Sequence, residues 1–448
     1  MAMAATGMLC SQETEPGVLD LINLHNYANQ AVPAYITRDN TPPSNGITDM
    51  GATLGRVLFY DKRLSRNDTI SCSSCHQQAR GFSDLGDAST GVSGTTGRHS
   101  MRLINSRFAQ ERRFFWDERA DTLEAQTTQP IQDHVEMGFS GTNGDPDLSD
   151  LVTKLGAIEE YQVLFRAVYG DAAITEDRLQ RALAQFVRSI QSFDSKYDAG
   201  RAQVAGDNVD FPNYTAAENL GKALFLTPPG PGGGAGCAGC HRPPEFDITP
   251  NSGHNGVTGT LDGGQDLTVT RSPSLRDLVG PQGQSNGGFM HTAEFATIEQ
   301  VIEHYNLIPA AEEGIDARLL RPDGSPQQLG LTNGQKANLA AFLRTLSGTA
   351  VYEDARWSDP FDEDGALSMV MLPTDGIELQ LDGVGDDRTA TVSMGAVPRV
   401  AYVFQWSSDL QTWNSTPVMA APDGTVSAQL TGVSDLKACF FRFIYAPE

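Results

Sequence analysis

The chain has 448 residues, with 56 acidic against 32 basic side chains and a net charge of −24, which excludes a nucleic-acid backbone or an anionic membrane surface as partner because such partners select basic faces. Hydrophobic residues make up 39% and charged residues 20%, a globular composition long enough for several domains of roughly 100–200 residues, with no run near the ~18–20 apolar residues of a membrane span. Six cysteines are too few for a disulfide scaffold.

In chain order, Met1 to Cys10 has neither a basic start nor a long apolar stretch and is no signal peptide as written. Cys10 reads as a thiol in a frayed tail, and its pairing with Cys439 would need that tail to fold back. An internal duplication follows. Leu54-Gly55-Arg56-Val57-Leu58-Phe59 stands 18 residues before Cys72, and Leu220-Gly221-Lys222-Ala223-Leu224-Phe225 stands 17 before Cys237. Each copy closes in an amphipathic segment, Leu183–Ile190 and Leu339–Leu346, with apolar residues at helical spacing. The helix starts fall at Thr175-Glu176-Asp177 and Thr332-Asn333-Gly334. The stretches between are glycine-rich without strand periodicity, above all Gly230–Gly236 and Gly253–Gly264. Long loops of this kind wrap something, and a large planar cofactor suits them. Asp359–Asp364, acidic and containing a proline, reads as linker. From Ile377 the residues alternate, through Leu379 and Leu381, Ala390 to Met394 and Tyr402 to Trp406, which predicts an all-β module of about 80 residues. Trp406 and Trp413 are expected to pack within it, and Cys439 reads as a buried thiol.

Cys72-Ser73-Ser74-Cys75-His76 and Cys237-Ala238-Gly239-Cys240-His241 both read C-x-x-C-H. Two thiols at this spacing add across the two vinyl groups of one haem, and the adjacent histidine reaches the iron. A zinc site wants four ligands around one ion, and a dithiol redox pair needs no histidine. Two such motifs in matching positions of a duplication therefore point to a dihaem c-type cytochrome. Covalent haem also implies an exported protein, periplasmic, extracellular or at the cell surface.

Beyond these motifs the chain resembles the bacterial dihaem cytochrome c peroxidase superfamily that includes the MauG-type enzymes, over roughly residues 15–350. The resemblance rests on Leu58-Phe59-Tyr60-Asp61 with Leu64-Ser65, Phe115-Trp116-Asp117-Glu118-Arg119-Ala120, Leu123-Glu124-Ala125-Gln126, Gln129-Pro130-Ile131, Glu136-Met137-Gly138, Pro273-Ser274-Leu275-Arg276 and Met290-His291-Thr292. It implies a mainly α fold of two cytochrome c-like haem domains in tandem, at 1–205 and 206–350. A linker at 351–372 and a C-terminal all-β, sandwich-like module at 373–448 would follow. It implies two covalently bound haem c groups, with His76 on the first iron and His241 on the second, and Arg276 at the cofactor. Glu136 and Gln126, ten residues apart, match the family's distal pair, an acid–base and a positioning amide for peroxide. Trp116 matches the tryptophan between the haems and would relay an electron hole.

Two departures favour the MauG-type branch. The loop from Gln77 to Arg98 has no histidine to cap the first haem, so that haem would be open without reductive activation. The peroxidases carry a methionine 14 residues after the histidine of the second domain's aromatic-His motif, whereas counting 14 from His291 gives Tyr305, a tyrosine as in MauG-type enzymes. Met290 is the runner-up ligand. His254 and His304 read as surface residues, and His25 and His134 support no role. The resemblance also extends to a Ca2+ ion between the haem domains, although His99 stands where the family commonly has an asparagine ligand, and reads as structural.

The expected function is a dihaem peroxidase-like oxidoreductase that uses hydrogen peroxide to oxidise a tryptophan or tyrosine on an exported partner protein through a high-valent dihaem state. The alternative is a detoxifying cytochrome c peroxidase that reduces peroxide with electrons from a small cytochrome or cupredoxin. A pure electron-transfer cytochrome is disfavoured by the Gln126 and Glu136 pair.

Overall fold

A computed structural model describes residues 15–230, 233–310, 312–383, 388–431 and 438–446; Cys10 lies outside them. The described helices are α1 (Asp49–Tyr60), α2 (Cys72–Cys75), α3 (Leu123–Thr127), α4 (Leu148–Gly156), α5 (Glu159–Tyr169), α6 (Glu176–Ser189), α7 (Lys196–Arg201), α8 (Ala216–Leu226), α9 (Ile298–Asn306) and α10 (Asn333–Arg344). The strands are β1 (Val18–Asp20), β2 (Thr90–Gly91), β3 (Gly94–Thr95), β4 (His241–Arg242), β5 (Asp247–Ile248), β6 (Ser368–Val370), β7 (Glu378–Asp382), β8 (Thr389–Gly395), β9 (Ala401–Ser407), β10 (Asn414–Met419), β11 (Thr425–Thr431) and β12 (Phe440–Tyr445). No described helix is long and apolar enough to cross a membrane.

The chain divides into two compact units, one of residues 25–162 and 172–358, the other of the described residues among 1–24, 163–171 and 359–448. The larger unit is helical, and the duplication is visible in it. Each copy crosses its first helix on its closing amphipathic one, α1 on α6 and α8 on α10. Both crossings run through a glycine. A Cβ on Gly55 would sit 2.0 Å from the Ala182 carbonyl oxygen, and one on Gly221 would sit 1.9 Å from that of Asn338. No side chain fits there, so the helix backbones touch. The aromatic cores repeat as well. Phe59 lies 5.1 Å from Phe186 and 6.0 Å from Phe82, centroid to centroid. Phe225 lies 5.2 Å from Phe342 and 5.8 Å from Phe246.

The helix starts follow side-chain chemistry. Thr175 caps α6 by accepting from the Arg178 N–H, and Thr332 with Gln335 forms a capping box on α10. Thr215 with Glu218 and Thr297 with Gln300 do the same for α8 and α9.

In the smaller unit, β10-β9-β12 and β11-β8-β7 form two three-stranded antiparallel sheets. Alternate residues Ala390, Val392 and Met394, and Tyr402 and Phe404, are buried, as period-two alternation requires. β1 pairs in parallel with β6, Val18 opposite Ser368, so an N-terminal segment belongs to this unit. Arg442 stacks 4.0 Å over Trp413, Trp406 is partly buried, and Cys439 is a half-buried free thiol. The segment 351–358, composed like a linker, is anchored instead: Trp357 is 3% exposed and donates its indole N–H to Ser189 Oγ, while Tyr60 donates to the Trp357 carbonyl at 2.6 Å. The acidic-proline run after it hid these contacts because each partner is more than 150 residues away.

Candidate haem sites

Each C-x-x-C-H begins on a short helical turn, α2 for Cys72–Cys75 and a 3-10 turn at Cys237–Gly239, which brings the two thiols to one side. The histidine that follows is turned by a hydrogen bond. His76 Nδ1 lies 3.1 Å from the Phe82 carbonyl oxygen, and His241 Nδ1 lies 3.3 Å from that of Phe246. A carbonyl only accepts, so Nδ1 carries the proton and Nε2 keeps its lone pair. Burial lowers the pKa of both imidazoles, His241 to about 4, which keeps them neutral and able to ligate iron. Phe82 and Phe246 both hold positive φ, 59° and 58°, a conformation bulky residues rarely adopt. The same strained carbonyl presentation occurs in both copies.

Burial also pushes the thiols up, Cys72 and Cys237 to about 12 and Cys75 and Cys240 to about 11. They are held as neutral thiols, suited to thioether formation rather than to thiolate ligation of a cation. Among the described residues no group of three or more His, Cys, Asp and Glu side chains is placed to hold a metal ion.

At the second motif the loops enclose a cavity of about 590 Å3. Cys237, Cys240 and His241 line one wall, and Tyr305, Met290 and Trp116 also face it, with apolar Leu226, Ile248, Val269, Leu339 and Leu343. An apolar slot of this size, two neutral thiols, a neutral imidazole and a phenol suit a covalently tethered haem. The long loop from Ile248 to His291 supplies much of the wall, as its composition suggested.

Tyr305 comes from α9. It is half-buried, and removal of its phenol from water raises the pKa. Asn255 donates its amide N–H to the Tyr305 oxygen at 3.0 Å and also lies 3.2 Å from Met290 Sδ. The amide thus touches both candidate ligands. Sequence reasoning passed over Asn255. His254 and His304, expected at the surface, instead fix this loop: His254 is 0% exposed with Nε2 2.8 Å from the Glu313 carbonyl, and His304 Nε2 lies 2.9 Å from the Asn255 carbonyl.

Trp116 donates its indole N–H to the His99 carbonyl at 2.8 Å, and its ring lies 6.1 Å from that of His291. Its own carbonyl accepts from Thr270 and Arg271. Segments from the two copies of the duplication therefore meet at Trp116. His99 is buried, its ring nitrogens engaged by the Gly86 carbonyl and Ser83 Oγ. Its side chain has no oxygen to offer a cation where that of an asparagine would.

At the first motif, Glu136 lies close enough for its charge to raise the Cys72 and Cys75 thiols. Burial pushes Glu136 up to about 7, with Asp133 adding to the rise and Arg119 opposing it. Gln126 sits on α3, whose start is capped by Thr122 and whose Glu124 is clamped by Arg188. Arg276 is the residue expected at the cofactor. It is 0% exposed, paired with Asp198 at 2.9 and 3.0 Å, and does not line the cavity; the neighbouring Leu275 does. Phe193, Tyr197 and Phe246 surround its guanidinium, which a motif of four residues could not reveal.

Two C-x-x-C-H sites of one geometry define a c-type dihaem protein class. The sequence profile of the di-haem cytochrome c peroxidase family matches residues 49–206. The methylamine utilization protein MauG of Methylophilus methylotrophus is 32% identical over 323 residues, 69% of this chain and 86% of that protein. The cytochrome c551 peroxidase of Nitrosomonas europaea is 27% identical over 311 residues, 66% of this chain and 80% of that protein. A crystal structure of a MauG-like protein associated with microbial copper homeostasis superposes with a TM-score of 0.58 at 29% identity, covering 74% of this chain and 99% of that one. The chain belongs to the di-haem cytochrome c peroxidase and MauG family and is a peroxidase-type oxidoreductase with two c-type haems.

Proposed function

We propose that the chain uses hydrogen peroxide to oxidise a tryptophan or tyrosine side chain on an exported partner protein, with its two haem domains in tandem and the first reacting with peroxide. The observation that carries this reading is Tyr305, whose phenol faces the same cavity as Cys237, Cys240 and His241. A hard oxygen ligand at the second iron disfavours electron entry and favours holding oxidising charge, whereas methionine does the opposite. The haems, when bound, supply the two-electron chemistry: peroxide takes two electrons and two protons and leaves as two waters, and the partner's aromatic side chain is the electron source.

This chain's own residues would do the rest. Glu136 would take the proton from the near oxygen of peroxide and return it to the leaving one, and Gln126 would hold peroxide by its amide. Trp116 would carry the hole between the two sites. Asn255 would orient the Tyr305 oxygen and stabilise its anionic form by donating to it. A calcium ion between the haem domains would have to rely on groups other than the His99 ring, which is already engaged. Covalent haem and the likeness to MauG support a periplasmic or cell-surface location. The likeness to a protein associated with copper homeostasis supports a metal-binding partner.

The test is the purified diferric protein mixed with peroxide and no reductant in the presence of exported proteins encoded beside it, followed by mass spectrometry of those proteins. Reaction without a reductant and an oxidised aromatic residue on the partner are expected; a strict requirement for prior reduction would overturn the proposal. One observation favours the detoxifying alternative: Met290 Sδ lies on the same Asn255 amide as Tyr305. That reading expects a second haem whose spectrum ignores Tyr305→Phe and responds to Met290→Leu.

A further inference from the structure

Three arginines line the cavity at the second motif, Arg102, Arg271 and Arg318. Two are matched. Arg318 pairs with Asp316 at 2.6 Å and donates to the Gly239 carbonyl at 2.7 Å. Arg271 lies 3.8 Å from Asp247 and donates to the Glu111 and Arg113 carbonyls, each at 2.8 Å. Arg102 is different. It makes no ion pair with any described residue, and its one side-chain hydrogen bond runs from Nη2 to the Ser274 carbonyl at a long 3.4 Å; its Nε, like that of Arg271, is buried without a partner.

Arg102 is half-buried, and a guanidinium held partly out of water without an anion is destabilised, so proteins rarely leave one so. Here burial pulls Arg102 down to about 10. Its charge in turn lowers the pKa of His241, which places it near the ligating histidine of the second site. Asp277 and Tyr352 act on it only at a distance: Asp277 Oδ1 accepts from the Gly348 N–H at 2.9 Å, and Tyr352 donates to the Val279 carbonyl.

The segment that carries Arg102 is fixed at both ends. The His99 N–H donates to the His291 carbonyl at 2.7 Å, and Asn105 is tied to Ile190 and Ser192. Arg102 thus comes from the first copy of the duplication and reaches the cavity of the second. A haem c group brings two propionates, and a planar guanidinium is built for a carboxylate.

We infer that Arg102 anchors a propionate of the second haem, so that one half of the duplication supplies the counter-charge for the cofactor tethered to the other. The inference rests on the second C-x-x-C-H carrying haem. Arg102 is a binding residue in this role, and its positive charge stabilises the reduced iron.

The haem-loaded protein tests it. The haem count by the pyridine haemochrome method comes first; one haem per chain would overturn the dihaem reading on which the inference rests rather than Arg102 itself. In a crystal structure of the two-haem protein, an Arg102 nitrogen is expected roughly 3 Å from a propionate oxygen. A guanidinium on the Asp277 carboxylate or in bulk water would overturn the inference. In redox titration, Arg102→Gln should move one of the two midpoints to a more negative potential and shift the propionate-bending band in resonance Raman, and Arg102→Lys should restore most of the midpoint. Unchanged midpoints and band in Arg102→Gln, or no recovery in Arg102→Lys, count against it. Should Arg102→Gln fail to accumulate, Arg102→Lys decides: a shifted propionate band with two haems retained supports the contact, and an unshifted band refutes it.

Discussion

The sharpest quantitative consequence lies at Glu136. Burial raises this carboxyl to about 7, with Asp133 as the second contributor. A base that takes a proton from peroxide must be ionised, so the sign is set. The carboxylate is fully available above the raised pKa and is lost as pH falls through it. With a pKa near 7, about 90% is ionised at pH 8, about 10% at pH 6 and about 1% at pH 5. The second-order rate of peroxide reaction with the diferric protein should therefore fall by about tenfold from pH 8 to pH 6 and by about tenfold more to pH 5. Glu136→Gln should slow the reaction by ~10²–10⁴ at pH 8, about 2.7–5.4 kcal/mol in barrier. The gap from wild type should narrow toward low pH, because protonation disables the wild type in the same way. Asp133→Asn keeps an oxygen to accept from the Val135 and Glu136 N–H groups while removing the like charge, so the inflection should move to lower pH. Stopped-flow absorbance of the haem bands measures each rate. A rate that is flat from pH 5 to 8, or equal in Glu136→Gln and wild type, would refute the assignment.

Further expectations follow from the packing and from the second site. Gly221→Ala forces a Cβ to within 1.9 Å of the Asn338 carbonyl, so stability should drop by at least about 1–3 kcal/mol, read as a lower denaturant midpoint at unchanged slope; an unchanged midpoint would mean that the α8–α10 crossing is not as tight as described. Tyr305→Phe should change the spectrum of one haem while two remain attached, and Asn255→Ala should perturb the same haem more weakly; a spectrum indifferent to Tyr305→Phe removes it as a ligand. Arg276→Met leaves Asp198 buried without its partner and should cost about 3–5 kcal/mol with haem spectra intact. Altered spectra at unchanged stability would restore Arg276 to the cofactor.

How much of this was legible in the sequence depends on the range of the contact. The repeated L-G-x-x-L-F and C-x-x-C-H, the threonine starts of α6 and α10, and the alternating residues of β7 to β9 all follow from local chemistry. The carbonyls of Phe82 and Phe246 were hidden because nothing local announces a phenylalanine at positive φ. Asn255 and Tyr305 are 50 residues apart, and Arg276 and Asp198 are 78 apart, so only the folded chain joins them. His254 looked like a polar loop residue and is buried because two backbone groups, at Glu313 and Gly256, satisfy its ring. Arg102 carries no motif at all, and its significance appears only when the other arginines of the cavity are seen to be paired.

The duplication also explains why the two sites can differ. Their common part is made of backbone contacts: a glycine against a carbonyl at each helix crossing, and a carbonyl on each histidine. A substitution there collides with main chain that cannot move aside, so this face is hard to change. The open side is made of loops and short helices, where side chains can be exchanged at little cost to the fold. In the first copy that side carries Glu136, held by the turn after Asp133 and backed by the turn that follows β2, where Val92 donates to the Glu136 carbonyl. In the second it carries α9 with Tyr305, and the loop with Asn255 and Met290. On the proposed reading, one copy is free to react with peroxide because the other has taken over the holding of charge, and a single domain of this frame would have to compromise between the two. Arg102 and Trp116, both supplied by the first copy to the cavity of the second, are then what couples a divided task into one reaction.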